Sequence, residues 1–409
     1  MNVWIIVAIV VQCFVMALAV SGAFAYLTLF ERRLLARLQN RVGPNRAGPQ
    51  GFLQPIADAV KLFFKEDVVP ALADRRVYLL APALSVIPAI IIWAVIPLGC
   101  WNVLESGYAA CFSTEAPLWN ILQIADINVG VLYLLAVTSV GVYGITLAGW
   151  ASNNKYSMMG GIRSSAQLIS YELALGVSVL TAVMMAGTLS THEVVLNQAG
   201  LWFIIPQFLG FVLFLVSATA EVVRAPFDLV EAEQELTGGY NTEYGSMKFA
   251  LFFMAEYIKL IAVSAIAVML YFGGWRFPGL ETLGRGMTEL AGPQIGAAIM
   301  GIVSLAAFLL KIVFFLFLSV WIRASWPRIR YDHLMEFGWK WLLPLALLNL
   351  AYTATVIVLV PDNRWLQAGI LFALGLATLL IAARPGKGMP RIEGDIRMVK
   401  SLPRREGRP

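Results

Sequence analysis

Nine separated runs of roughly twenty apolar residues dominate this chain, at about 3–30, 77–98, 128–150, 166–188, 201–222, 247–272, 295–322, 340–360 and 365–383. Each is long enough to cross the hydrocarbon core of a bilayer as a helix, and a helix satisfies its own backbone polar groups there. The expected fold is therefore an all-α polytopic membrane protein. Composition agrees: with 59% hydrophobic and 13% charged residues and a mean hydropathy of +0.75, 409 residues could not cover their apolar surface in water. A soluble enzyme is excluded.

Charge orients the spans. Ala23-Phe24-Ala25 has the small-residue pattern of a signal-peptidase site, but no basic residue precedes the first run, while Arg32, Arg33 and Arg37 follow it. These flanks predict a retained helix with its N-terminus outside. Alternating the spans from there puts 25 of the 30 Lys and Arg in segments 31–76, 151–165, 221–248, 323–340 and 384–409. Only Arg276, Arg285 and Arg364 fall in the opposite loops, and Lys259 and Lys311 lie within spans. Under the positive-inside rule the rich side is cytoplasmic, and so is the C-terminus. This asymmetry accounts for the net charge of +5 without nucleic acid. Cys13, Cys100 and Cys111 form no CxxC, which speaks against iron–sulfur ligation. Cys100 and Cys111 share the outer side, where a disulfide and two free thiols are both open.

The first cytoplasmic loop is built from turns and one amphipathic stretch. Gly43-Pro44-Asn45 and Gly48-Pro49 specify turns. Beyond them Phe52, Ile56, Val60, Phe63 and Phe64 fall on one helical arc, with Asp58, Lys61 and Lys65 opposite. That pattern suits a helix on the membrane surface, or one covered by a partner. The pair Arg32-Arg33 either fixes topology or lines a polar pocket.

One acidic segment breaks the pattern of basic cytoplasmic loops. In AEVVRAPFDLVEAEQELTGG, residues 220–239, Glu221, Asp228, Glu231, Glu233 and Glu235 stand with only Arg224 for balance. Pro226 opposes an unbroken helix through the stretch. If 228–235 is helical, Asp228, Glu231 and Glu235 share a face. Carboxylates this close, withdrawn from bulk water, titrate as a group and can receive and pass protons; a solvated acidic loop is the plainer alternative. Four ionisable residues sit at membrane depth: Glu172, Glu256, Lys259 and Lys311. Glu256 and Lys259 share a helix face at i, i+3 and can pair, whereas Lys311 needs a partner from another span. Such residues normally face a protein interior or a wet cavity. Structural ion pairs are one reading; with the acidic segment, an intramembrane polar path is the other.

The spacing Glu221-x-x-Arg224-x-Pro226-Phe227-Asp228-Leu229-x-Glu231-x-Glu233-x-Glu235 resembles the H subunit of bacterial respiratory complex I, equivalent to subunit 1 of the mitochondrial enzyme. The likeness continues in GYNTEYGSMKFALFFMAEY, ERRLLARLQNRVGPNRAGPQGFLQPIADAVKLFFKED, GWASNNKYSMMGGIRSSAQLISYE and RASWPRIRYDHLMEFGWKWLLPL, so it covers about residues 1–360. It implies a membrane subunit of NADH-quinone oxidoreductase in the bacterial inner membrane, joining the peripheral redox arm to the proton-pumping arm. Quinone, as ubiquinone or menaquinone, would be the substrate, with nothing bound covalently. NADH, FMN and iron–sulfur clusters would belong to partner subunits, and the neighbours would be the quinone-site iron–sulfur subunits and small membrane-arm subunits. Carried over by motif, Arg32, Arg41, Asp58 and Arg224 line or shape the quinone cavity with Glu221. Glu221, Asp228, Glu231, Glu233, Glu235, Glu172 and Glu256 form a proton-linked chain, Glu243 is a weaker member, and Lys340 is peripheral. The family usually ends after eight spans. Here a ninth run, 361–383, and a basic tail, 384–409, follow; the tail suits anionic lipid or an acidic surface, or has no partner.

The chain carries no redox motif of its own. No Rossmann or Walker A sequence follows a candidate strand, and His192-Glu193 begins no HExxH because position 196 is Leu196. His192 and His333 are expected to be structural. A secondary transporter would show paired, interrupted repeats, which are not apparent, and a passive anchor for a redox module is the remaining alternative.

Overall fold

A computed structural model describes residues 3–99, 122–228, 238–361 and 363–382 of the chain. Twelve helices organise these residues, and no strand occurs among them. They are α1 (Val3–Leu38), α2 (Gln54–Phe64), α3 (Arg75–Ile91), α4 (Gly130–Ala151), α5 (Lys155–Ala186), α6 (Thr191–Leu196), α7 (Phe208–Glu221), α8 (Ser246–Tyr271), α9 (Leu280–Ala291), α10 (Pro293–Ser325), α11 (Tyr331–Leu359) and α12 (Arg364–Ala382). Eight are long and apolar enough to span a membrane, and α7, at 14 residues, is a shorter apolar helix. All nine expected runs thus contain a helix.

Several of their ends differ from the expectation, among them the start of α11 at Tyr331 rather than 340. α1 continues past residue 30 to Leu38, carrying Glu31 and Arg32 on a helix rather than a loop. The expected loop 151–165 is mostly the first turns of α5: Asn154 caps it by accepting from the Tyr156 N–H at 3.0 Å. That stretch is rich in small residues, and Ser157 Oγ donates to the Tyr240 carbonyl at 3.0 Å, so it is drawn into the protein. α7 begins at Phe208 instead of 201, because residues 201–207 form irregular turns tied to α8 by the Ile204 N–H on the Tyr271 carbonyl at 3.0 Å.

α8 is the axis. From Tyr257 to Tyr271 every side chain except Val263 is buried, against α1, α3, α7 and α10. α3 and α4 lie close enough that a Cβ on Gly144 would stand 2.1 Å from Ser85 Oγ and 2.9 Å from the Ala81 carbonyl. Small residues at such crossings let backbones approach, which drives helix association in lipid. Gly144→Val is expected to part these helices, at a cost of about 1–3 kcal/mol or more by overpacking, read as a lowered unfolding temperature in detergent.

Lys311 finds its partners on another element, as its isolation required. Its Nζ donates to the carbonyls of Phe272, Gly274 and Arg276 at 2.8, 2.8 and 2.6 Å and stands 4.7 Å above the Trp202 ring. These carbonyls follow the end of α8, where helical acceptors lack intrahelical donors and a cation is favoured. Lys311 is therefore a helix-end clamp rather than a link in a polar path. His192 is fully buried and His333 exposed. Cys13 is exposed and free; Cys100, Cys111 and the basic tail lie outside the described residues.

Candidate functional site

A groove of about 430 Å³ opens between α1, α2 and the first half of α8. Phe24 and Thr28 of α1, Ala59 and Leu62 of α2, and Met254 and Tyr257 of α8 give it a largely apolar wall. At its rim Arg32 Nη1 donates to Asp58 Oδ2 at 2.8 Å, and Gln54 Nε2 donates to the other Asp58 oxygen at 3.0 Å. The Arg32 and Asp58 side chains are 54% and 36% exposed, so the pair contributes at most about 1 kcal/mol and is free to rearrange around a polar headgroup. α2 is amphipathic as predicted, with a difference in what its faces meet. Asp58, placed on the polar arc, turns to the groove, whereas Phe52, Ile56, Val60, Phe63 and Phe64 stay exposed. Arg41 is exposed and does not line the groove.

Behind the groove, Arg224 joins three elements. Its Nη1 donates to both oxygens of Glu31 at 2.9 and 3.0 Å, its Nε stands 3.0 Å from Glu256 Oε1, and its guanidinium lies 4.2 Å above the Tyr257 ring. Arg323 from α10 bonds Glu31 as well. Glu31 and Arg224 are 2% and 6% exposed. Burial opposes the charge on Arg224, but Glu256 and Glu31 outweigh it and hold the guanidinium above its ordinary pKa range. Tyr257 faces the groove on one side and Arg224 on the other, which makes it the partition between them.

Sequence reasoning missed Glu31. Beside Arg32 and Arg33 it reads as an ordinary helix-end charge; its partner Arg224 lies 193 residues away. The available signal was an acid at the inner end of an otherwise apolar span. Sequence reasoning allowed Glu256 to pair with Lys259, and the two do line one cavity, but each also meets partners from other elements. Glu256 reaches Arg224, whose guanidinium offers several directed donors, and Lys259 faces Glu221 and Glu172 as well as Glu256.

Those acids surround a second cavity, of about 30 Å³ and lined by Glu221, Glu256, Lys259, Ser85 and Tyr240, which has room for a water molecule. Lys259 is buried, packs against Gly141 of α4, and faces the charges of Glu221, Glu172 and Glu256. Glu172, from α5, accepts a hydrogen bond from the Ser139 hydroxyl. Glu221 is held where α7 ends: Gln167 Nε2 donates to the Ala220 and Phe227 carbonyls at 2.9 and 2.8 Å, fixing the turn that follows. Glu31, Glu256, Glu221 and Glu172 thus come from four different helices and meet two buried cations.

The other candidate acids stand apart. Asp228 pairs with Arg328 at 2.9 Å. Glu243 accepts from Asn154 Nδ2 at 2.6 Å, and its carbonyl accepts from the Tyr78 hydroxyl at 2.7 Å. Tyr78 stacks on Tyr244 with ring centres 4.2 Å apart, and burial raises the Tyr244 hydroxyl above its usual range. Lys340 is exposed and bonds Glu336 at 2.6 Å. Glu231, Glu233 and Glu235 lie outside the described residues.

Residues 11–354 match the family model described as NADH dehydrogenase. The chain belongs to this family. Relatives named as the H subunit of NADH-quinone oxidoreductase include one from Deinococcus deserti, 49% identical over 372 residues, covering 91% of this chain and 89% of the relative. One from Protochlamydia amoebophila is 48% identical over 332 residues, covering 81% and 92%. One from Rhodospirillum rubrum is 45% identical over 356 residues, covering 87% and 95%. The resemblance carried by the loop motifs is therefore correct. The groove, Arg224 and the acids Glu31, Glu172, Glu221 and Glu256 all fall within the residues that the NADH dehydrogenase model matches.

Proposed function

We propose that this chain is the H subunit of a proton-pumping NADH-quinone oxidoreductase, that its groove forms part of the quinone cavity, and that the buried acids couple quinone reduction to proton translocation. The observation that carries the reading is the continuity through Tyr257 and Glu256. Tyr257 walls the groove and underlies Arg224, while Glu256 binds Arg224 and lines the second cavity. A change of charge in the groove reaches Arg224 across one ring. Arg224 then redistributes its pull between Glu31 and Glu256, and the balance around Lys259, Glu221 and Glu172 shifts in turn. In a low-dielectric site such shifts are large compared with those in water. Asp228, Glu231, Glu233 and Glu235 continue the acidic path, and Arg41 acts from the rim of the first loop.

Electrons come from partner subunits that hold NADH, FMN and iron–sulfur clusters; this chain supplies the polar mouth, the apolar wall and the acids. Quinone is a substrate, ubiquinone or menaquinone. The basic ends face the cytoplasm of a bacterial inner membrane, with the N-terminus outside. Arg32→Ala and Asp58→Asn in the assembled complex test the groove. Each is expected to raise the KM for a short-chain quinone several-fold and to weaken a competitive quinone-site inhibitor, while electron transfer from NADH to hexaammineruthenium is unchanged. A passive anchor would leave KM and inhibitor affinity as they are.

A further inference from the structure

The end of the bundle opposite the groove holds a second large cavity, of about 490 Å³, within the roughly 300–1,000 Å³ range of small-ligand pockets. Trp202 and Ile205 precede α7, Arg276 and Phe277 follow α8, Leu280 opens α9, and Trp365 belongs to the first turn of α12. Its position is fixed by Lys311, which clamps the carbonyls at the far end of α8 and backs the Trp202 ring.

Two features converge on one occupant. Only Arg276, Arg285 and Arg364 lie in the loops on this side; Arg276 lines the cavity with its Nη1 donating to the Leu196 carbonyl at 3.2 Å, and Arg364 directly precedes the lining residue Trp365. Its mouth is apolar and unpacked, with Ile205 47% and Trp365 69% exposed, and tryptophan is the residue that settles at the headgroup level of a bilayer. A guanidinium recognises phosphate through paired charge-assisted hydrogen bonds.

We propose that this cavity is a binding site for an anionic phospholipid of the leaflet opposite the groove. The phosphate lies toward Arg276 and Arg364, and the acyl chains leave past Ile205 and Trp365. α12 packs on α7 through Phe372 against Phe208, ring centres 5.6 Å apart. The lipid adds a second hold at the start of α12 and ties the ninth helix to the other eight.

The test uses the complete complex in phosphatidylcholine nanodiscs that contain a minor fraction of photoactivatable lipid, either phosphatidylglycerol or phosphatidylcholine, with labelled peptides mapped by mass spectrometry. Photoactivatable phosphatidylglycerol is expected to label 198–205 and 276–282 several-fold more than the phosphatidylcholine probe. Arg364→Gln combined with Trp365→Ala is expected to remove most of that excess. Equal labelling by the two lipids, labelling unaffected by the substitutions, or a neighbouring protein cross-linked into the cavity would overturn the assignment. Should the double substitution block assembly, the comparison of the two probes in the unsubstituted complex decides alone.

Discussion

Arg224→Met is expected to abolish quinone-dependent NADH oxidation and to lower the thermal stability of the membrane arm. The substitution keeps much of the aliphatic bulk over Tyr257 but removes the cation that Glu31 and Glu256 share. Both acids belong to spanning helices, and Glu31 is almost completely buried. Breaking a buried ion pair from one side typically costs about 3–5 kcal/mol, because the partner's desolvation is no longer offset. Arg323 still reaches Glu31, so the loss falls more heavily on Glu256. Arg224→Lys separates folding from function. An ammonium restores the charge but cannot bond both Glu31 oxygens and hold Glu256 with fixed donors. Arg224→Lys is therefore expected to recover assembly, measured by subunit content and melting temperature, with little recovery of quinone turnover.

Lys259→Met carries the second large effect. Lys259 is the buried cation among Glu221, Glu172 and Glu256. Without it, three carboxylates face one another around a neutral side chain, and like charges in such a setting do not all remain ionised. The cluster loses the ammonium at its centre, and the proton path proposed for it loses its working balance. The expected result is loss of proton translocation beyond the fall in electron transfer, measured as protons moved per NADH oxidised in proteoliposomes. Lys311→Met supplies the contrast. It removes a helix-end clamp and is expected to reduce stability while leaving the proton ratio of the surviving complex unchanged.

The spans were legible because length and hydropathy suffice to mark a membrane helix. The loop motifs gave the family by the same kind of direct reading. Contacts between spans were not legible in that way. Glu256 and Lys259 sit three residues apart on one face and share a cavity, yet nothing local announces that Glu256 also meets Arg224 or that Lys259 also faces Glu221 and Glu172. Glu31 looked like a flank charge because nothing near it in sequence announces Arg224 or Arg323. Lys311 announced its need for a partner, but backbone carbonyls beyond a helix end carry no side-chain signature. The extension of α5 through 155–165 was hidden by its polar composition, which reads as loop until the Asn154 cap and the contact with Tyr240 are seen.

Tyr257 and Glu256 link groove to acids, so an acid beyond that link and outside the groove gives the most direct test. Glu221→Gln removes a carboxylate that lines the second cavity but not the groove, so quinone binding should survive. The decisive measurement is the ratio of protons translocated to NADH oxidised in proteoliposomes, together with quinone KM and the rate with hexaammineruthenium. Coupling through the buried acids predicts near-normal KM and ruthenium rate with a clearly reduced coupled turnover or proton ratio. A Glu221→Gln complex that pumps at the unsubstituted ratio and rate would contradict it.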